Sequence, residues 1–497
     1  MAKSLNILFV GSELFPLAKE SGIADIMYAL PIALRELGHD VRVIFPKYGI
    51  ISDRKHNIHN INRLRDIYIK IGDQTYEATI KSSIIPGSRF NLQSYLISND
   101  YFFDNRKGIY HDQTTWEEYP DNLERFIFFN KAVVETCSLL GWTPNIIHCH
   151  DWQSALIPAL IKEIYYNKYK KTKIVFTIHN FFRQGEFSLK DFSKLGLPDD
   201  AIIHFKHKNK LNFMKGALEY ANYITTVSQN YANEILKDRF YSNGLNDTLK
   251  KKKNIYKGII NGVDNVYWNP KKDEFLKYKL KDNIEEFKLQ NKNIILKEFN
   301  FDDNLEIPLL GMIPRIGYQK GTQLLIDAAD QIFKNNLRIV LLGEGDNYLK
   351  EQLKNVANKY KDKFKLRFEF NEPLSHIIEA GCDFFLMPSQ YEPFGLNFAY
   401  SLLYGAIPIA RKTGGLADLS DNIDFHSGKG NSIVFEKYEV QDFVDAIERA
   451  LKLYHNKDLM KKIIYRNMNS DFSWSQSAKE YESIYKFILK EQNKENE

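Results

Sequence analysis

Short runs of consecutive apolar residues, each ending at a loop, constrain this chain more than any other feature. They fall at residues 5–10, 41–46, 146–149, 174–178 and 223–227, and again at 308–313, 338–342, 384–387 and 407–410. Most are rich in β-branched residues or Leu without polar alternation, which suits strands buried on both faces. Stretches of helical period lie between them, as at 23–37, 155–165, 322–333 and 396–404. Strands alternating with helices predict an α/β fold of parallel sheets wound by right-handed crossovers.

The alternation breaks once. Residues 269–304 are rich in Lys, Asn and Asp, and a new strand–helix series opens at Pro308. The boundary is therefore placed near Asn261 and Asp264, giving domains 1–262 and 263–472. At 497 residues, length alone allows two to four domains, most simply two large or three ordinary ones. Residues 50–105 read differently. Polar and apolar positions alternate at 67–71, 76–80 and 92–96, which predicts antiparallel strands inserted in the first domain. The closing segment 473–497 carries an amphipathic helix over 475–490 and a polar tail expected to fray. Lys19-Glu20-Ser21-Gly22-Ile23-Ala24-Asp25 is weakly echoed by Lys412-Thr413-Gly414-Gly415-Leu416-Ala417-Asp418. Each follows a strand and opens a helix, in keeping with two similar sheet domains facing each other.

Composition narrows the function classes. With 68 basic and 63 acidic residues the net charge is +5, too little to argue for nucleic acid or an anionic membrane. Cys137, Cys149 and Cys382 are too few for a disulfide framework, and a reducing compartment fits. The run at 5–10 is too short for a signal-peptide core, and none reaches the roughly 18 apolar residues of a membrane span. A soluble cytoplasmic protein is expected. The aromatic share of 14% is compatible with sugar stacking, but a general bias toward Lys, Asn, Ile, Tyr and Phe accounts for it more simply.

Candidate chemistry collects after the strands. Arg315 and Lys320 flank a strand-to-helix loop, where a guanidinium and an ammonium can straddle a diphosphate and the next helix adds its positive end. Two solvated loop cations would look the same. Thr413-Gly414-Gly415-Leu416 could bring backbone N–H groups close to a phosphate, and Gly-Gly is also simply common at turns. Glu392 precedes the helix from Leu396 and is either a cleft carboxylate or a helix-start acid. His179 ends the strand 174–178, where it can donate into a cleft or serve structure alone. His148-Cys149-His150-Asp151 resembles a metal cluster, but no second cluster at zinc spacing accompanies it, and Asp151 reads better as a strand-end residue. No Asp-x-Asp pair occurs, which argues against a carboxylate-held cation on a diphosphate. Leu341-Leu342-Gly343-Glu344-Gly345 lacks the third glycine of a dinucleotide fingerprint.

These residues, in this order, resemble the bacterial glycogen synthase and plant starch synthase family. The likeness runs from Ser12-Glu13-Leu14-Phe15-Pro16 through His150-Asp151-Trp152, Thr177-Ile178-His179-Asn180, Lys215-Gly216 and Asn261-Gly262-Val263-Asp264. It continues through Arg315, Lys320-Gly321, Pro388-Ser389, Glu392–Leu396 and Thr413–Asp418 to Asp471-Phe472-Ser473-Trp474. The resemblance implies the GT-B fold, two Rossmann-like domains with an interdomain cleft and a last helix crossing back to the first. It implies retaining transfer of glucose from ADP-glucose, or UDP-glucose in some members, to the non-reducing end of glycogen or a malto-oligosaccharide, with no metal and no cofactor. By resemblance, Arg315 and Lys320 hold the diphosphate, His179 contacts the transferring glucose, and Glu392 supports charge at its anomeric carbon. Asp151, Asn261, Leu396, Thr413, Gly414 and Gly415 complete the donor pocket. Lys19, Gly22 and Asp25 line the first-domain side, and Phe370 stacks on adenine. A related retaining glycosyltransferase with another donor, or a weakly active glucan-binding homologue, are the alternatives.

The chain departs from the family at several of these positions. The Lys-x-Gly-Gly-Leu loop reads Lys19-Glu20-Ser21-Gly22-Ile23, and Ser21 would cost about 1 kcal/mol if a positive φ were needed there. Glu20 adds a negative charge beside an expected phosphate site. Gln153, Phe394 and Asn397 replace residues usual in the family, and Tyr400 stands where related retaining enzymes carry a second Glu.

Overall fold

The computed structural model describes residues 4–87 and 89–495. Contacts divide the chain into two units. The first runs to Val227, resumes at Ala232–Gly262 and includes the segment from Trp474 onward. The second comprises Ser228–Tyr231 and Val263–Ser473.

In the first unit the sheet runs Tyr256–Gly258, Tyr223–Thr226, Lys173–Ile178, Ile146–His150, Asn6–Val10, Asp40–Pro46, Leu92–Ser98, Gln74–Ile85, His59–Asn60. The strands from Tyr256–Gly258 to Leu92–Ser98 are all parallel. Strand order reverses between Asn6–Val10 and Ile146–His150, the place where open α/β sheets bind ligands. Leu92–Ser98 departs from the sequence expectation. It is antiparallel to Gln74–Ile85, but it also runs parallel to Asp40–Pro46, with Ile44 opposite Tyr95. All but one of its residues are buried, so it belongs to the doubly covered core, and only the strands beyond it form an antiparallel extension.

The last helix, Ser475–Glu495, belongs to this unit and continues past the expected end at residue 490. Its apolar face places Tyr481 and Tyr485 in the core, and the Tyr485 hydroxyl lies 2.8 Å from His148 Nδ1. Glu482 meets His39 at 3.1 Å, and Ser477 donates to the Ile260 carbonyl at 2.6 Å.

The second unit has an all-parallel sheet in the order Phe364–Arg367, Arg338–Leu342, Leu309–Met312, Phe384–Met387, Ile407–Arg411, Ile433–Phe435. In chain order that is 3-2-1-4-5-6, the Rossmann arrangement. The period of two explains why its strands look uniformly apolar. Leu310, Met312, Ile339 and Leu341 pack into one core cluster, while Leu309, Val340 and Leu342 pack into the other. The polar stretch after residue 269 contains the helix Ile284–Glu298. Just before it, Trp268 is sandwiched between the rings of His376 and Tyr400, with centroids 3.8 and 3.7 Å away. Tyr400 is therefore a packing residue here. Among the described residues no helix is long and apolar enough to cross a membrane.

Candidate active site

In the second unit the sheet reverses between Leu309–Met312 and Phe384–Met387, and the loops leaving these two strands carry Arg315, Lys320 and Glu392. The first loop ends in a 3-10 turn, Tyr318–Lys320, and then Gly321 at φ 76° opens the helix Thr322–Ile332. A Cβ on Gly321 would strike the Pro388 carbonyl of the second loop, so only glycine lets the two loops close together. Their side chains meet as well. Lys320 Nζ donates to Glu392 Oε2 at 2.5 Å, and Ser389 Oγ donates to the same oxygen at 3.2 Å. Glu392 is 4% exposed, whereas the Lys320 side chain keeps 31% of its surface open. Arg315 is exposed.

A third loop closes on Glu392 from behind. Gly415 N–H donates to the Glu392 carbonyl at 2.9 Å, and Gly414 sits at φ 48° where a Cβ would overlap that same carbonyl. The paired glycines thus hold the Glu392 backbone, and the Gly415 N–H is committed there. Thr413 Oγ1 is buried without a hydrogen-bond partner among the described residues. Leu396 is half-buried at the start of the helix Leu396–Leu403. Phe370 lies in the loop after Phe364–Arg367 and is 70% exposed, open to stack on a planar ligand.

In the first unit, the loop after Asn6–Val10 is built on Glu13, which is fully buried. Its carboxylate accepts from the backbone N–H of Glu20 (2.8 Å) and of Ser21 (2.7 Å), from Ser21 Oγ (2.9 Å) and from the Tyr110 hydroxyl (2.6 Å). Ser21 has φ −140°, ordinary extended backbone, and caps the helix Gly22–Glu36 by accepting from Ile23 N–H. The expected strain at Ser21 is therefore absent: the position needs an N-cap, not a positive φ. Glu20 is placed beside His111, 3.5 Å from its Nδ1. Lys19 and Asp25 form an ion pair of 3.1 Å around the start of the same helix, whose first residue is Gly22.

Asp151, His150 and His179 cluster at the strand ends on the other side of the reversal. Asp151 sits at φ 55° with Oδ1 accepting from the His179 N–H at 2.7 Å. Burial pushes its carboxyl up to about 7, against the pull of the His179 and Asn180 N–H groups. His150 Nδ1 and His179 Nε2 are 2.8 Å apart. His148 bonds Thr177 Oγ1 at 2.6 Å through Nε2, so its ring is engaged by Thr177 and Tyr485. Among the described residues no group of three or more His, Cys, Asp or Glu is arranged to hold a metal ion. Asn261, after the strand Tyr256–Gly258, is buried, and its Oδ1 has no hydrogen-bond partner among the described residues.

The raised Asp151 pKa has a stability consequence. The folded chain binds this proton more tightly than the unfolded chain, whose value is near 3.8, so stability falls as pH rises from about 4 to about 7. An Asp151→Asn variant carries no such penalty. Thermal melts of the pair should diverge across that window, the variant gaining up to roughly 4 kcal/mol at pH 8 at about 1.4 kcal/mol per unit. A difference that stays constant from pH 4 to 8 would overturn this assignment.

A cavity of about 220 Å³ opens in the same unit, lined by Tyr110, Glu118, Trp152, Gln153, Gln184 and Phe187 among others. Aromatic faces beside amides and carboxylates suit the two-sided surface of a sugar. Sequence reading alone misses Glu13, Tyr110 and Gln184 as site residues. Tyr110 lies in a polar loop without periodicity, and only the Ser12–Pro16 likeness touches Glu13.

Comparison with known proteins gives the family. The family model described as Starch synthase catalytic domain matches residues 6–251, and that described as Glycosyl transferases group 1 matches residues 293–469. A glycogen synthase of Koribacter versatilis is 38% identical over 487 residues, covering 97% of this chain and 98% of that one. One of Clostridium novyi is 35% identical over 491 residues, covering 98% and 99%. Among solved structures, the catalytic domain of Starch Synthase IV from Arabidopsis thaliana bound to ADP and acarbose is similar with a TM-score of 0.89. It is 30% identical and covers 98% of this chain and 100% of its own.

Proposed function

The chain belongs to the glycogen and starch synthase family of glycosyltransferases, with the GT-B fold, and we propose from that premise that its donor is ADP-glucose. Transfer to the non-reducing end of an α-1,4-glucan proceeds with retention of configuration. The observation that carries the catalytic assignment is the Lys320–Glu392 pair at the reversal point of the second unit's sheet. Support for ADP comes from the Arabidopsis relative, whose structure holds that nucleotide.

In this reading Lys320 and Arg315 bind the diphosphate, with the positive end of the helix Thr322–Ile332 behind them. They stabilise the negative charge that grows as the diphosphate leaves. Glu392 supplies fixed negative charge for the oxocarbenium-like transition state. The acceptor hydroxyl attacks from the leaving-group face and passes its proton to the departing phosphate oxygen. His179 and Asn261 orient the donor sugar, and Phe370 covers the base. The aromatic cavity beside Trp152 takes the acceptor glucan.

Radiolabelled glucose transfer onto glycogen, from ADP-glucose and from UDP-glucose, tests the assignment. The expected result is at least a tenfold larger kcat/KM with ADP-glucose, about 1.4 kcal/mol of discrimination. A better rate with UDP-glucose overturns the donor. Amylose binding without transfer from either donor overturns the enzyme and leaves a glucan-binding homologue.

A further inference from the structure

The contact between His150 and His179 decides what His179 can offer a ligand. We propose that His150 is a positioning residue whose Nδ1–H holds His179 in the Nδ1–H tautomer, so that His179 meets the transferring sugar as a hydrogen-bond donor. The proposal rests on the reading that His179 contacts the donor glucose.

One orphaned atom selects the tautomer. His150 Nδ1 and His179 Nε2 share a single hydrogen bond of 2.8 Å, and both rings are buried. Burial depresses both imidazoles, His179 to about 3 and His150 well below its ordinary value with help from His148 and His179, so each ring is neutral and carries one N–H. Two arrangements exist. In one, His179 donates from Nε2. His150 must then carry its proton on its own Nε2, which is buried and has no hydrogen-bond partner among the described residues. In the other, His150 donates from Nδ1, and its Nε2 is left with only a lone pair. On the backbone, orphaned buried N–H groups are rarer than under-satisfied acceptors, and we take the same asymmetry to hold for this imidazole. The second arrangement is therefore selected.

Packing fixes the His150 ring in place. Phe9 stacks on it at 5.3 Å and His148 lies against it at 4.3 Å, and their strands Asn6–Val10 and Ile146–His150 are neighbours in the sheet. With His179 Nε2 accepting, its proton sits on Nδ1, which makes no hydrogen bond among the described residues but, unlike His150 Nε2, is not fully buried, so its N–H can be met by solvent or a ligand. A sugar hydroxyl can donate or accept, so this sets the direction: the hydroxyl oxygen accepts from His179, and its own proton points elsewhere.

The direct test is nitrogen-15 NMR of the full chain labelled at histidine, with His179 assigned by the signals lost in H179Q. Expected is a protonated Nδ1 and a lone-pair Nε2. A protonated Nε2 on His179 overturns the proposal. In kinetics, H150F should lower kcat by about 10- to 100-fold, the usual range for a group that orients a functional histidine, with donor KM nearly unchanged. H150N, whose amide N–H stands where Nδ1–H stood, should recover most of the rate. Parent-like kcat in H150F overturns the positioning role. Should H150F fail to fold, the tautomer measurement on the unaltered chain still decides. Full transfer activity in H179A would instead sink the reading of His179 as a sugar contact, whatever tautomer is observed.

Discussion

Glu392→Gln is expected to transfer glucose onto glycogen at about a thousandth of the parent kcat, with ADP affinity and melting temperature close to the parent's. The substitution removes charge and little else. Glu392 is held by Ser389 Oγ, by Lys320 and, through its carbonyl, by the Gly415 N–H. A Gln side-chain oxygen accepts the same two side-chain hydrogen bonds, and the backbone bond is indifferent to the side chain. The loop therefore keeps its shape. What disappears is a fixed negative charge, 4% exposed, where solvent screens little. If the anomeric carbon becomes cationic beside it, that charge acts in the transition state and hardly at all in the ground state, so kcat falls and binding does not. Steady-state transfer with radiolabelled donor, calorimetric titration with ADP and a thermal melt together make the measurement. A rate within threefold of the parent's rejects the assignment, and a parallel loss of ADP affinity moves Glu392 from catalysis to donor binding.

The fold is legible in the sequence wherever a strand is buried on both faces. Runs such as 338–342 and 384–387 coincide with the strands Arg338–Leu342 and Phe384–Met387, because a continuous apolar run of that length, bounded by turns, fits a doubly covered strand. Strands that break this pattern are hard to see. Phe364–Arg367 and Ile433–Phe435 sit at the two edges of the second sheet and are short, and the first carries a lysine and an arginine. Leu92–Ser98 reads as part of an antiparallel insert because the adjacent polar residues Gln93 and Ser94 interrupt its apolar run. Pairing partners are long-range facts, and local pattern cannot supply them.

The site is legible as a set of residues, less so as a set of contacts. Loop position makes Arg315, Lys320 and Glu392 candidates, and the family resemblance gives them roles. That Lys320 and Glu392 touch depends on Gly321 passing the Pro388 carbonyl, a close approach no spacing rule encodes. Ser21 shows the opposite error. Judged against a family pattern, it looks like a lost glycine, yet the hydroxyl caps a helix and answers the buried Glu13 carboxylate. Substituting Gly by Ser is harmless where φ is negative and a donor and acceptor are both wanted.

Lys320→Ala is expected to weaken ADP binding by about 10- to 100-fold, the range of one or two charge-assisted hydrogen bonds to phosphate. The ammonium has three N–H groups. The pair with Glu392 occupies one, and with 31% of its surface open the side chain has reach to offer the others to a ligand. Its pairing with Glu392 also means that the cation is already positioned, so phosphate binding recruits a side chain whose ordering cost is met in the unliganded state. The stability loss is about 3 kcal/mol, because the buried Glu392 carboxylate loses its cation and keeps the Ser389 hydroxyl as its side-chain partner. Lys320→Arg should recover only part of the affinity, since a planar fork cannot reproduce a point charge aimed at two groups at once. Calorimetric titration with ADP, alongside titration with a malto-oligosaccharide, separates the roles. Weakened ADP binding with glucan affinity unchanged places Lys320 on the diphosphate. Unchanged ADP affinity removes it from the donor site and leaves it as the partner of Glu392 alone.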